Sequence, residues 1–338
     1  MKIAIQERKG SFSEQWVSYC KSKGIEYKMV NCYAPDIIGQ LSDCGALMWH
    51  FHHASQKDMM LAKQLLYSVQ MMGKRVFPDF NSMWHFDDKL GQKYLLDAIG
   101  APMVPTVIFY SEEEALEWVK DANFPKVFKL STGAGGQNVR LVKNTFEAEK
   151  VIRKAFGKGF KQYNASASLK DRWYKFNEGL VPLKDVMKGF IRLVCEPEYS
   201  RLSGRERSYA YFQDYIPEND HDIRVIVVGG KAFAIKRMVR KSDFRASGSG
   251  HILYEKKHFN KKTISLAFHL SEKLHSQCMA YDFIHKNDEP LLIEISYGFS
   301  FKGYINCPGY WDEHLNWHEG KFNPYGWMVD MIIQNENE

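Results

Sequence analysis

No Cys-x-x-Cys pair occurs among the six cysteines (Cys20, Cys32, Cys44, Cys195, Cys278, Cys307), so neither a zinc finger nor a dithiol redox site is signalled. Cysteines scattered this way read as small buried hydrophobes, kept reduced where no export signal is present. No apolar run approaches the roughly 18–20 residues that span a bilayer. The start, Met1 to Lys9, has no long apolar core and no small-residue cleavage site, so a secretory leader is not expected and a cytoplasmic location is. A Gly-x-Gly-x-x-Gly fingerprint is missing after the first strand, where the chain reads Gln6-Glu7-Arg8-Lys9-Gly10-Ser11, so this is no obvious dinucleotide site. There is no internal repeat, no low-complexity stretch and no recognisable Ser or Cys catalytic triad.

What is present is a chain of 338 residues with 45% hydrophobic and 25% charged residues, 24 Gly and 11 Pro. Those fractions fit a folded protein, and the length predicts two or three domains. The net charge of +6 is uneven. Between Gly157 and Arg207 eleven Lys and Arg face six Asp and Glu, so this segment carries nearly all of the excess. The rest is close to neutral, which argues against a nucleic-acid surface over the whole fold.

Short apolar runs alternate with helical patterns over the first eighty residues: strands at Lys2–Gln6, Tyr27–Asn31, Ala46–His50 and Arg75–Pro78, with helices at Ser13–Ser22 and Asp58–Met72. That alternation predicts βαβ units and a parallel sheet. A helix over Asp87–Ile99 and a strand over Thr106–Tyr110 follow. Ser111, with Glu114 three residues on, caps a helix Glu112–Lys120. Strands Lys126–Leu130 and Asn138–Val142, joined by Ser131-Thr132-Gly133-Ala134-Gly135-Gly136-Gln137, read as a hairpin and not as a Walker A strand–loop–helix. Segment 157–207 shows mixed helical signals and no strand rhythm. Strands return at Tyr209–Tyr215, Asp222–Val228 and Lys231–Arg240, then a helix Ile264–Cys278. Met279–His285 and Leu291–Ser296 are expected to be the last strand pair, and a short helix near Trp327–Ile333 closes an aromatic tail.

Binding a nucleoside triphosphate calls for lysines, backbone N–H groups in a glycine-rich loop, arginines at the transferring phosphate, and a divalent cation held by carboxylates. The chain offers each in order. Asn81 to Lys89 leads into a helix and then Gly100-Ala101-Pro102-Met103-Val104-Pro105-Thr106; Phe124-Pro125-Lys126-Val127-Phe128-Lys129 leads into the glycine-rich hairpin. Gln213-Asp214-Tyr215-Ile216 is followed by Asp222-Ile223-Arg224, then Arg237, then Asp243-Phe244-Arg245. Asp282 lies twelve residues before Glu294, which opens Glu294-Ile295-Ser296.

Together these motifs resemble the ATP-grasp superfamily, most closely its RimK-like branch of ribosomal-protein glutamate ligases, over about residues 80–300. The resemblance implies an α/β chain, α+β in its catalytic part, with a small N-terminal parallel-sheet domain and two α+β subdomains that clamp ATP. The expected divisions are 1–85, 86–212 with the basic insertion 157–207, 213–300, and an aromatic extension 301–338. It further implies that Lys89 and Lys129 neutralise phosphates, that the hairpin (Ser131, Gly133, Gly135, Gly136) folds over them, and that Gln213, Asp214, Tyr215 and Ile216 form the adenine hinge. Asp222 would lie near the ribose. Arg224, Arg237 and Arg245 would surround the γ-phosphate and an acyl phosphate. Asp282 and Glu294, with a weaker Ser296, would hold one or two Mg²⁺, replaceable by Mn²⁺.

The activity implied is ATP-dependent joining of a carboxylate to an amine through an acyl phosphate, with ADP and phosphate released. The substrates would be small or carrier-linked acids and an amine (an amino acid, a peptide or a sugar-acid acceptor), and a homo-oligomer is open. Two departures from the family pattern bear on this: Ser296 stands where the metal motif has Asn, and Ser247 where Phe-Arg-Ser-Asn has its Asn. Both keep open a nucleotide-binding module of weak catalysis, beside a phosphotransferase on the same fold. Nucleic acid is not an expected partner. His50, His52 and His53 read as a strand-end loop facing the cleft between domains. His314 and His318, four apart, would share a helix face but lack the Glu of a zinc protease. Tyr310, Trp311, Trp317 and Trp327 read as packing.

Overall fold

The computed structural model describes residues 1–133, 136, 138–239, 244–246 and 249–334. The chain opens with β1 (Ile3–Gln6), α1 (Phe12–Lys23), β2 (Tyr27–Val30), α2 (Ile37–Gln40), β3 (Ala46–Met48), α3 (Gln56–Met71), β4 (Arg75–Phe77) and α4 (Phe80–Met83). The four strands form a parallel sheet in the order β2-β1-β3-β4. Helices cover both faces, which is why β1 and β3 are buried along their whole length and read as unbroken apolar runs. Ser11 caps α1 by accepting the Ser13 N–H, and Gly24 ends it in the left-handed region.

Next come α5 (Lys89–Ala98), β5 (Thr106–Phe109), α6 (Glu112–Asp121), β6 (Lys126–Lys129), β7 (Val139–Val142) and α7 (Thr145–Phe156). The basic segment holds β8 (Phe160–Lys161), α8 (Ala165–Asn177), α9 (Leu183–Val194), α10 (Glu198–Ser203) and β9 (Arg205–Glu206), and leads to β10 (Ala210–Asp214). Strands β5, β10, β6 and β7 make an antiparallel sheet in that order. Ala115 and Val119 of α6 and Ile152 of α7 bury its Phe128 and Phe212. Ser111 caps α6 at the Glu114 N–H, as its spacing predicts. The expected division at 212/213 falls inside β10. The insertion is mainly helical, with β8 and β9 paired at its two ends as a clasp.

The third unit comprises β11 (His221–Val228), β12 (Lys231–Met238), β13 (Ile252–Leu253), α11 (Lys261–Leu274), β14 (Cys278–Lys286), β15 (Glu289–Ser296), β16 (Gly309–Asp312), β17 (Trp317–Glu319) and α12 (Pro324–Gln334). Its sheet runs β15-β14-β11-β12-β16-β17, with β13 also on β12. Thus β14 and β15 are not the last strand pair: the tail adds β16 and β17, short strands whose polar interruptions hide them from a pattern search. His314 and His318 do not share a helix; His318 lies in β17, stacked on Tyr310 at 4.9 Å and bonded to Asp312.

One face of this sheet packs Val225, Val227 and Tyr281 on α11 and on Leu96 of α5. The other places Ile226, Val228 and Phe233 in one cluster with Phe12 and Trp16 of α1 and Met328 of α12. The C-terminal helix is therefore the layer that joins the third sheet to the first. Trp311 is 3% exposed, and Tyr310 and Trp327 pack against the same cluster, so the tail aromatics do serve as packing. No helix among the described residues is long and apolar enough to cross a membrane.

Candidate functional site

A cavity of about 650 Å³ lies where the three sheets meet. It takes side chains from the first unit (Phe12, His50, His52, His53), from β6 and its loop (Lys129, Gly133, Gly136), from β10 and the turn after it (Gln213, Asp214, Tyr215, Ile216), and from the third sheet. The third sheet supplies Asp222, Arg224, Arg237, Asp282, Glu294 and Ser296, and Arg245 comes from the segment that follows β12. Of the residues singled out from sequence, all but two line this one space. Ser131 lies just behind it, and Gly135 falls outside the described residues, as do Asp243 and Ser247.

Lys89 starts α5, whose N-terminus Asp88 caps by accepting the N–H groups of Leu90 and Gly91. Its ammonium is buried, donates to the Gly133 carbonyl at 2.8 Å and stands 3.4 Å from Glu294 Oε1. Burial works against that charge, but Glu294 and Asp87 outweigh it and hold the lysine protonated. Lys129 ends β6, also buried, and burial pushes its ammonium down to about 8 against the pull of Glu294. Two buried ammonium groups, with Glu294 within ion-pair distance of Lys89 and Asp87 close by, form a lysine floor under the glycine-rich loop.

That loop is tied at its base. The Ser131 N–H donates to Glu206 Oε2 at 2.9 Å and to the Tyr209 hydroxyl at 2.6 Å, while its own hydroxyl donates to Asp88 at 3.0 Å. Thr132 donates to the other oxygen of Glu206. The Gly133 N–H donates to Asp87 Oδ1 at 2.8 Å, and burial raises that carboxyl to about 6. Gly133 sits at φ +105°, and a Cβ there would stand 2.8 Å from the Asn138 amide, so glycine is required. Ser131 thus anchors the loop with its side chain turned from the cavity. Asp87, Asp88, Glu206 and Tyr209 share the work, and no local pattern in the sequence marks them.

Register explains the charged cluster. Antiparallel pairing sets Asp222 opposite Arg237, Arg224 opposite Asp282, and Asp282 opposite Glu294. Arg224 grips Asp282 with two bonds of 2.5 Å, and Arg237 grips Asp222 with two of 2.6 Å while reaching Asp282 at 3.0 Å. Burial alone would raise the Asp282 carboxyl, but the two guanidiniums hold it well below the usual range. Both oxygens of Asp222, the expected ribose neighbour, are held by Arg237. Arg245 donates to the Gly136 carbonyl at 2.7 Å, pinning the loop from the far side.

Asp282 and Glu294 offer hard oxygen donors on adjacent strands in the cavity, the donor type that suits Mg²⁺ when phosphate oxygens and water complete its shell. Ser296 uses its hydroxyl locally, donating to the Gly298 carbonyl at 2.9 Å. Among the described residues no group of three His, Cys, Asp or Glu gathers as a metal site by protein ligands alone. Elsewhere in the lining, His50 stacks on Phe12 at 3.7 Å, its Nδ1 accepting the Phe12 N–H. Burial lowers His50 to about 3 and His52 and His53 to about 4, so this wall is neutral and aromatic. The histidine loop does face the cleft.

This architecture, a small parallel sheet followed by two antiparallel sheets closing on a lysine-floored cavity, is the ATP-grasp fold. Residues 199–305 match the model of the RimK-like ATP-grasp domain, so this part of the chain is RimK-like. Residues 88–175 match that of the carbamoyl-phosphate synthase L chain ATP binding domain. No curated protein is similar to the chain in sequence. Among solved structures, a RimK domain ATP-grasp protein from Sphaerobacter thermophilus is 14% identical, with TM-score 0.56, over 98% of this chain and 100% of that one. D-alanine–D-alanine ligase from Bacillus anthracis complexed with ATP is 12% identical, with TM-score 0.56, over 99% and 96%. The biotin carboxylase domain of a Hydrogenobacter thermophilus 2-oxoglutarate carboxylase, in complex with MgADP, is 15% identical, with TM-score 0.61, over 98% and 69%. At these identities the likeness speaks to the fold.

Proposed function

We propose that this protein is a Mg-ATP-dependent carboxylate–amine ligase. The observation that carries the reading is the pair of buried lysines, Lys89 and Lys129, on the floor of the main cavity beside Glu294 and beneath a tied glycine-rich loop. A polyphosphate is the ligand that such a cationic, donor-rich floor suits. Named neighbours that are ligases for carbon–nitrogen bonds support the class of chemistry.

In this reading Lys89 and Lys129 neutralise the α- and β-phosphates, and the loop at Gly133 and Gly136 covers them. Main-chain groups of Gln213 to Ile216 receive the adenine, with Tyr215 and Ile216 as its apolar flank. Asp282 and Glu294 would hold Mg²⁺, or Mn²⁺ in its place, which supplies charge neutralisation on the β- and γ-phosphates. An oxygen of the acid substrate attacks the γ-phosphorus and ADP departs, giving an acyl phosphate. The amine then attacks the acyl carbon, phosphate departs, and the amide nitrogen loses a proton. Arg224, Arg237 and Arg245 lie where negative charge accumulates in both steps, and catalysis rests on positioning and charge balance without a covalent enzyme intermediate. The neutral, aromatic part of the lining (Phe12, His50, His52 and His53) supports an organic substrate in the same cavity. Ser131, which faces away, is assigned to loop anchoring.

An ADP-release screen of acid-plus-amine pairs, with mass spectrometry of the products, tests this. ADP formed only when both partners are present, with a product lighter by one water than their sum, is the expected result. ADP formed with one substrate alone, together with a stable phosphorylated product, would replace the ligase reading with a phosphotransferase.

A further inference from the structure

A second cavity, about 1030 Å³, opens between β7, α7 and the basic insertion. Its lining contains seven Lys and Arg but only two acids, Asp171 and Glu196. Both acids are paired: Asp171 with Lys175, outside the lining, at 2.9 Å, and Glu196 with Lys161, one of the seven, at 2.7 Å. Arg140 and Lys154 both lie over one ring, Phe160, at 5.1 and 4.5 Å. Among the described residues no carboxylate lies within ion-pair distance of either. Arg205 joins them, its guanidinium held by the carbonyls of Lys158 and Gly159 at 2.6 and 3.2 Å. Burial lowers the Lys154 ammonium, and the charges of Arg140, Lys158 and Arg205 lower it further.

Like charges converging in excess of their counter-charges raise the free energy of the empty site, and an anion between them relieves it. A helix terminus adds to the same field. Residues 165–168, the first turn of the thirteen-residue α8, line the cavity. The Asn164 side chain caps the Ala167 N–H there, and the positive end of the helix dipole favours an anion nearby. Val139, Phe244 and Arg245 line this cavity and the main one alike, so the two spaces share a wall.

We propose that this cavity is a binding site for a small phosphate-bearing substrate, held by Arg140, Lys154, Arg205 and the N-terminus of α8 and delivered toward the main cavity past Arg245. Guanidinium forks with a helix N-terminus form a phosphate-recognising combination. Phe160 and Tyr174 give the organic part of such a molecule apolar surface. The assignment deepens the ligase reading by naming the class of its acceptor. The binding itself does not depend on that reading.

The test is calorimetric titration of the full chain with inorganic pyrophosphate after the main cavity has been saturated with a non-hydrolysable ATP analogue. A second saturable site is expected, weakened at least tenfold in the Arg140→Gln/Lys154→Gln variant while analogue affinity stays unchanged. Lys129→Ala should behave in the opposite way, losing the analogue and keeping the pyrophosphate site. Three results would overturn the proposal: no pyrophosphate binding beyond the analogue, equal binding in the double variant, or a clear preference for citrate over pyrophosphate. Tighter binding of a random single-stranded oligonucleotide than of pyrophosphate would overturn it too, because the groove would then be a general nucleic-acid surface. Analogue binding by Lys129→Ala at wild-type affinity would count against the ligase reading alone.

Discussion

Lys129 concentrates the electrostatics of the site in a single side chain. Among the described residues no carboxylate lies within ion-pair distance of its ammonium, which burial lowers to about 8. A bound triphosphate would supply the missing negative charge and raise it again. ATP binding measured at pH 8.5–9 in buffers of different ionisation enthalpy should therefore take up close to one proton, and affinity should fall as pH rises above about 8. In the free protein the same group acts in the other direction. Between its folded value of about 8 and its ordinary 10.5 the unfolded chain holds the proton more tightly, so this lysine's contribution to stability increases with pH. Lys129→Ala should cost the nucleotide about 100-fold in affinity, the scale of a charged hydrogen bond at about 1.5–3 kcal/mol. Circular dichroism should meanwhile show a folded chain. Proton uptake that persists in this variant would assign the effect elsewhere.

Asp282 makes the opposite case, a carboxylate whose two arginines are already in place. Asp282→Ala leaves Arg224 and Arg237 facing each other across a buried strand pair, and removing one member of such a network costs about 3–5 kcal/mol. Urea unfolding should report that loss. An unchanged midpoint would mean that water or Glu294 takes the carboxylate's place.

Among the elements, the glycine-rich hairpin shows how a loop is made ready for a ligand before the ligand arrives. Its base is fastened by Glu206 and Tyr209 from the far end of the insertion and by Asp87 and Asp88 from the turn before α5. Gly133→Ala must place a side chain at φ +105° against Asn138. Unfolding free energy should drop by about 1 kcal/mol or more, and nucleotide affinity should fall with it because the Gly133 carbonyl positions Lys89. Full retention of both in urea and binding measurements would show that the loop has other ways to settle. Elements of this kind were only half legible in the sequence. The hairpin, its lysine and its glycines are neighbours along the chain, so composition and alternation mark them. Glu206 lies seventy-five residues from Ser131, and nothing local announces that it will hold that N–H. Likewise Asp222 and Arg237 are recognisable as charged residues on strands, yet their pairing depends on a register that only the folded sheet defines.

On the scale of the molecule, local patterns reveal the order of the sheets more readily than the way they join. Parallel strands, the hairpin, the long β11–β12 and β14–β15 pairs and α12 all have periodic signatures. By contrast β16 and β17, four and three residues long, and the docking of α12 on α1 arise from tertiary burial. Tyr19 bonds both oxygens of Asp330 at 2.9 Å, and Arg75 donates to the carbonyls of Ile332 and Ile333 at 2.7 and 3.1 Å. Met328 and Val329 are fully buried against the cluster shared by the first and third sheets. Met328→Asp places a charge in that layer, and a loss of several kcal/mol is expected from an unpaired buried carboxylate. Thermal unfolding should shift steeply downward. A merely exposed, freely frayed α12 would leave it unchanged.

The joint between sheets also decides whether Lys89 and Lys129 meet Asp282 and Glu294 in one cavity. A crystal structure of the protein with Mg²⁺ and a non-hydrolysable ATP analogue tests that arrangement most directly. The account predicts phosphate oxygens within hydrogen-bond distance of both lysine ammonium groups and a cation on Glu294. An analogue bound elsewhere, with those two lysines still donating only to the protein, would contradict it.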